Sequence, residues 1–228
     1  MNKELKFQQT DNHKVYLSSD FHLNHSPKWP IPIWKMRGFS LVDEMNNAII
    51  GSVNNSVRPD DSLLFLGDIT LNCSEFQFEG FISRILCQNI YVIWGNHNSP
   101  SWNLYKREVN NWFSKMSGDN RVSIGFVHDE NFQHEIYPFR YKNLVFIGNY
   151  VKVSVDYQKF ILSHYPIHSW EDMKNGRVLC YGHQHCENNP DGGRRLDVGW
   201  DRDRRPYSSD EVWNKMLKIP IMSDGGHH

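Results

Sequence analysis

The sequence predicts an α/β fold in a single domain, and three observations predict it. Short β-branched and aromatic runs of strand length recur along the chain, several of them ending in polar residues. Early in the chain these runs alternate with amphipathic segments at helical spacing, and later strand follows strand more closely. The 228 residues, 39% hydrophobic and 22% charged, suit one large domain whose core stands without staples.

Lys14–Ser19 reads as a strand that delivers Asp20-Phe21-His22 to its C-terminal end. Asn24–Gly38, with its prolines and tryptophans, reads as a long ordered loop. Ser40 is a good helix N-cap, with Asp43 three residues on, and Leu41, Met45, Ala48 and Ile49 make the inward face. After the Arg58-Pro59-Asp60-Asp61 turn, Ser62–Leu66 forms a second strand, ending in Gly67-Asp68. Ser74–Leu86 reads as a helix with Phe78, Phe81, Ile82 and Ile85 inward. Tyr91–Trp94 is a buried strand that runs into Gly95-Asn96-His97, and a helix is expected from Ser101 to about Ser117, capped by Ser99 or Ser101. Further strands are expected at Leu144–Ile147 and Val151–Val155 around a Gly148-Asn149 turn. Others are expected at Lys159–Leu162, Arg177–Tyr181 and Arg195–Val198.

The formal net charge of -1 gives no general reason to expect a nucleic-acid or membrane surface. Met1–Lys14 lacks the apolar region of a secretory signal, and no apolar run reaches bilayer length, so a cytoplasmic location is expected. Cys73, Cys87, Cys180 and Cys186 show no zinc-ribbon or Cys-x-x-Cys spacing and read as reduced thiols. Gly225-Gly226-His227-His228 looks like the remnant of a purification tag, which leaves residues 1–224 as the domain and ten of twelve histidines for chemistry.

Five strands end in residues that can bind metal: Asp20 and His22, Asp68, Asn96 and His97, His164, and His183 and His185. Taken singly, each reads as well as a cap, a turn or a satisfied core histidine. Together they place oxygen and imidazole donors in the cleft outside the carboxyl ends of strands, where α/β folds hold ligands.

Their order, Asp-x-His, Gly-Asp, Gly-Asn-His, a lone His and Gly-His-x-His, resembles the calcineurin-like metallophosphoesterase superfamily over Asp20–His185. Met36-Arg37-Gly38-Phe39, the Glu44-Met45-Asn46 helix and His164-Tyr165-Pro166 look like its small bacterial and phage branch. The resemblance implies a four-layer αββα sandwich, two facing mixed sheets flanked by helices. It also implies two ions sharing Asp68: one held by Asp20, His22, Asp68 and His185, the other by Asp68, Asn96, His164 and His183. Two imidazoles and two oxygens per ion suit Mn²⁺ first, then Fe, Zn²⁺ or Ni²⁺, better than Ca²⁺. The implied reaction is hydrolysis of a phosphate ester by a hydroxide held between the ions, with His97 left unliganded as general acid.

Asn98 stands where the family often has an acid that orients ligands. His25 is a candidate for the same cleft, and Arg37 for gripping phosphate bidentately. Trp29 and Trp34 are candidates for stacking a nucleobase, whereas most other tryptophans read as core. Arg194, Arg195, Arg202, Arg204 and Arg205, interleaved with Asp197, Asp201 and Asp203, read as a self-paired solvated face. No extended basic stripe is visible, which favours a small phosphorylated substrate, with a nucleotide-derived one among the candidates, over nucleic acid. A nuclease and a non-catalytic binding scaffold on the same fold are the alternatives.

Overall fold

The computed structural model describes residues 4–25, 31–97, 103, 104, 107, 139–185 and 192–221. The expected helix from Ser101, Trp29, Asn98, Cys186 and the C-terminal glycines and histidines therefore lie outside, or almost wholly outside, the described residues.

The chain opens with β1 (Leu5–Phe7) and β2 (Val15–Ser18), then the short helix α1 (Ile33–Met36) and the longer α2 (Val42–Ser56). There follow β3 (Ser62–Phe65), α3 (Glu75–Ile82) and β4 (Asn89–Ile93). The second part contributes β5 (Phe139–Tyr141), β6 (Leu144–Gly148), β7 (Tyr150–Val155), β8 (Gln158–Ser163), β9 (Val178–Tyr181) and β10 (Arg195–Asp197). It ends with α4 (Trp200–Asp203), β11 (Tyr207–Ser208) and α5 (Ser209–Leu217).

Two mixed sheets result. One has the order β11-β2-β3-β4-β6-β5, parallel except at its two outer strands, and the other β1-β7-β8-β9-β10, with only the β7–β8 pair antiparallel. Side-chain alternation explains the layering, because successive residues of a strand point to opposite faces. Leu63 and Phe65 join Met45, Ile49, Val53, Phe78 and Ile82 on the face covered by α2 and α3. Leu64 and Leu66 meet Val153, Phe160, Leu162 and Cys180 of the other sheet in a second core. The outer face of the five-stranded sheet carries Ile161, Leu179 and Tyr181 against Trp170 and Met173, so its cover there is thin among the described residues. The class is the expected one: two mixed sheets flanked by a few helices. No helix among the described residues is long and apolar enough to cross a membrane.

Two local expectations are corrected. Helix α2 starts at Val42, with Glu44 accepting from the backbone N–H groups of Ser40 and Leu41, so Ser40 is not its cap. Leu41 and Ala48 are accordingly exposed, and Ile50 and Val53 join Met45 and Ile49 inside. The strands expected on either side of Gly148-Asn149 are present as β6 and β7, and they belong to different sheets.

Register positions the site. Ser18, Phe65 and Val92 lie side by side on β2, β3 and β4, so Asp20, Asp68 and Asn96 leave three neighbouring parallel strands at the same edge. The second sheet reaches that edge too: Ser19 bridges Gly199, and the Trp200 N–H donates to the Ser19 carbonyl at 2.9 Å.

Candidate metal centre

Asp20 and Asp68 are both buried, and each is held by one carboxylate oxygen. Asp20 Oδ2 accepts the His183 backbone N–H at 2.9 Å, and Asp68 Oδ1 accepts that of His97 at 2.8 Å. The other oxygens face imidazoles. Asp20 Oδ1, which is buried without a hydrogen-bond partner, lies 3.7 Å from His22 Nε2. Asp68 Oδ2 lies 3.7 Å from His22 Nε2 and 3.5 Å from His164 Nε2, which places it between two rings.

Glycines make these approaches possible. A Cβ on Gly95 would stand 2.2 Å from Asp68 Oδ1, and one on Gly182 would stand 2.3 Å from Asp20 Oδ2. Asp20, His22, Asp68, His183 and His185 themselves adopt φ between 49° and 72°. That left-handed region costs an L-residue roughly 1–2 kcal/mol, and such strain concentrates at ligand sites.

Ring orientation decides what the imidazoles offer. His164 Nδ1 donates to the Leu66 carbonyl at 2.7 Å, so Nε2 carries a lone pair, facing Asn96 Oδ1 at 2.7 Å. His183 Nδ1 is 3.0 Å from the same amide oxygen. His185 Nδ1 donates to Asp201 Oδ2 at 2.7 Å, leaving its Nε2 lone pair 3.2 Å from His22 Nε2. Two nitrogens bound to one ion at their usual bond length stand roughly 3–3.4 Å apart. Nitrogen and oxygen lone pairs thus converge on one small space, an arrangement that suits a cation. Donor atoms of Asp20, His22 and His185 lie within 4.8 Å of one another, as do those of Asp20, Asp68 and His164. The donor set fits a divalent metal centre of two adjoining sites.

At Asp20, His22 and His183 electrostatics agree with ligand duty. Burial opposes ionisation of Asp20, but its contact with His22 and the charges of His22, His164 and His185 outweigh it and hold the carboxyl below its ordinary range. Burial pushes His22 down despite Asp20 and Asp68, and burial and then His164 push His183 down. Both rings therefore favour the neutral form that binds metal. Burial also works against protonated His185, but the Asp201 hydrogen bond prevails and raises its pKa.

The structure gathers Asp20, His22, Asp68, Asn96, His97, His164, His183 and His185 at one edge. His25 lies beside them, its ring 5.9 Å from that of His22. Its Nδ1 accepts the Ile33 N–H at 3.1 Å, and burial together with the charge of His22 lowers its pKa to about 4. Arg37 is corrected: it is buried, and its guanidinium is committed to Asp201 and to the carbonyls of Asp20 and Phe21, so it does not grip phosphate. The arginine run is corrected as well. Arg195 is buried over the Trp170 ring and donates to the Ile167 and His168 carbonyls, Arg205 pairs with Glu211, and Asp201 turns inward.

Two residues at the site escaped sequence reading. Asp201 had a signal, since Val198-Gly199-Trp200-Asp201 leaves a strand much as Gly67-Asp68 does. Tyr165, partly exposed, lays its ring 4.8 Å from that of His183 and 5.1 Å from that of His164, forming part of the rim.

An α/β sandwich with carboxylates and imidazoles converging beyond its parallel strands carries a site that could hold divalent metal. The model of the calcineurin-like phosphoesterase family matches residues 13–187, and the chain belongs to that family. An uncharacterised protein of Methanocaldococcus jannaschii, MJ1445, is 31% identical over 63% of this chain and 88% of its own length. The crystal structure of AQ665, a protein of unknown function from Aquifex aeolicus, shares the fold. Its TM-score is 0.55 at 17% identity, over 90% of this chain and all of that one.

Proposed function

We propose that the chain is a dinuclear phosphoesterase that hydrolyses a small phosphorylated substrate, with His97 as general acid. The observation that carries this reading is the Asp68 carboxylate, one oxygen fixed by a backbone N–H and the other set between His22 and His164. Asp20, His22, Asp68 and His185 would hold one ion, and Asp68, Asn96, His164 and His183 the other. Two such ions supply Lewis acidity toward a phosphoryl group and a water activated near neutral pH. With Asn96 neutral, two carboxylates leave two dications a formal charge of about +2, which suits an anionic ester. Mn²⁺ is the first ion to test, on the donor set.

The position of His97 beside the ligands supports the acid role. Its N–H to Asp68 Oδ1 anchors the residue beside the metal ligands, and its ring stands 5.6 Å from that of His22. There it donates a proton to the departing oxygen, a role that typically contributes about 10²–10⁴-fold.

Elemental analysis and turnover of an aryl phosphodiester in Mn²⁺ test the centre, with two ions per chain and hydrolysis expected. A chain with neither metal nor turnover overturns the proposal. His97→Ala should keep both ions and lose about 10²-fold or more on an alkyl leaving group. It should lose far less on a nitrophenolate, which departs without a proton. Equal losses on both leaving groups would remove His97 from the acid role.

A further inference from the structure

Arg37 joins parts of the chain far apart in sequence. Its Nε and one terminal nitrogen donate to the two Asp201 oxygens at 2.6 and 2.8 Å, a bidentate fork. The same terminal nitrogen reaches the Asp20 carbonyl at 2.7 Å, and the other reaches the Phe21 carbonyl at 2.7 Å. Asp201 in turn accepts from His185 Nδ1 at 2.7 Å. Both partners of the fork are largely buried, with side-chain exposures of 3% and 16%. The guanidinium also lies 5.1 Å from the Trp200 ring, and the Arg37 carbonyl accepts from Arg204 at 2.7 Å, so the fork is itself held in place.

We infer that Arg37 and Asp201 are positioning residues that lock His185 and the Asp20–His22 turn into one geometry for metal binding. Asp20 leaves the six-stranded sheet and His185 the five-stranded sheet, so the Asp20-carbonyl–Arg37–Asp201–His185 chain is a strut between the sheets at the site. Asp201 keeps the proton on His185 Nδ1, and the lone pair therefore stays on Nε2, aimed at His22. Arg37 keeps Asp201 from rotating away, since a bidentate fork fixes both oxygens and the carboxylate plane. The role rests on the reading of Asp20 and His185 as ligands.

The test is calorimetric titration of Mn²⁺ into full-length wild type, Asp201→Asn and Arg37→Lys, with ¹⁵N spectra of the histidine rings. Asp201→Asn keeps shape and loses charge, whereas Arg37→Lys keeps charge and loses the fork. The expected result is that one of two Mn²⁺ sites weakens about 10–100-fold in either variant. In Asp201→Asn, His185 should also lose its fixed Nδ1–H tautomer. If Asp201→Asn does not fold, Arg37→Lys decides alone on the same affinity readout. Unchanged Mn²⁺ affinities in a folded variant overturn the positioning role and leave the metal centre standing. A wild-type chain that takes up no Mn²⁺ overturns the metal centre itself, and the strut with it.

Discussion

Gly95→Ala is a one-carbon change whose consequences can be worked from the site. The added Cβ would lie 2.2 Å from Asp68 Oδ1, 2.8 Å from the Asp68 backbone nitrogen and 3.0 Å from its Cγ. Carbon and oxygen approach to about 3.3 Å without strain, so roughly 1 Å must be found by moving Asp68 or the Gly95 turn. Neither moves freely: Asp68 is buried, and its backbone carbonyl accepts the His22 N–H at 3.0 Å. Overpacking of this kind costs about 1–3 kcal/mol, and losing the His97 N–H to a carboxylate adds about 1.5–3 kcal/mol. At about 2–4 °C per kcal/mol for a chain of this size, the melting temperature should fall by roughly 5–24 °C. Metal binding should suffer more than folding, because ligand distances tolerate only about 0.2 Å and Asp68 Oδ2 faces both His22 and His164. The assay is elemental analysis after gel filtration, beside a thermal melt and aryl-phosphodiester turnover. A folded Gly95→Ala chain that retains two tightly bound ions and wild-type turnover would refute the reasoning.

Two further outcomes follow from other positions. A Cβ on Gly51 in α2 or Gly80 in α3 would meet nothing within 4 Å beyond its own stretch of helix backbone, so alanine at either should stabilise by about 0.4–1 kcal/mol in denaturant melts. Burial opposes ionisation of Asp61, but Arg58 and the backbone N–H groups of Lys14 and Arg58 outweigh it and hold the carboxyl below its ordinary range. A depressed folded pKa contributes stability above the unfolded value of about 3.9 and loses it as pH falls through the folded value. Asp61→Asn should therefore be less stable than wild type at neutral pH by about 1.5–3 kcal/mol. Urea melts should show the gap narrowing only in acid below about pH 4.

What could be read from sequence was local. Strands buried on both faces, such as β3, announce themselves as continuous apolar runs, and residues placed just after such strands fall together because parallel register is shared. Edge strands of two or three residues, β1 and β11, carry too short a pattern to show. Helix α5 has a short but recognisable signal, the Ser-x-x-Glu at its Ser208 cap, which accepts from the Glu211 N–H. The division into two sheets was hidden because Gly148-Asn149 looks alike whether the next strand folds back or crosses to the other sheet. The pairing of Arg37 with Asp201 has no local signal, because the two lie 164 residues apart.

The strained backbone at the site is best understood with the lone pairs that it aims. Five of the seven proposed ligands, Asp20, His22, Asp68, His183 and His185, sit in the left-handed region, which local propensity disfavours. An extended continuation of each strand would carry its donor past the edge, away from the neighbouring sheet. The left-handed turn bends the chain back, and backbone bonds secure the bend: the Asp20 N–H to the Gly67 carbonyl at 3.1 Å and the His22 N–H to the Asp68 carbonyl at 3.0 Å. Beside these turns an acceptor faces an acceptor, His164 Nε2 against Asn96 Oδ1 at 2.7 Å. Strain and lone-pair opposition both raise the energy of the fold without helping it fold, which is difficult to explain for a purely structural turn. A cation between the acceptors relieves the second and gives the first a purpose, so the two unfavourable features together argue for metal more strongly than either does alone.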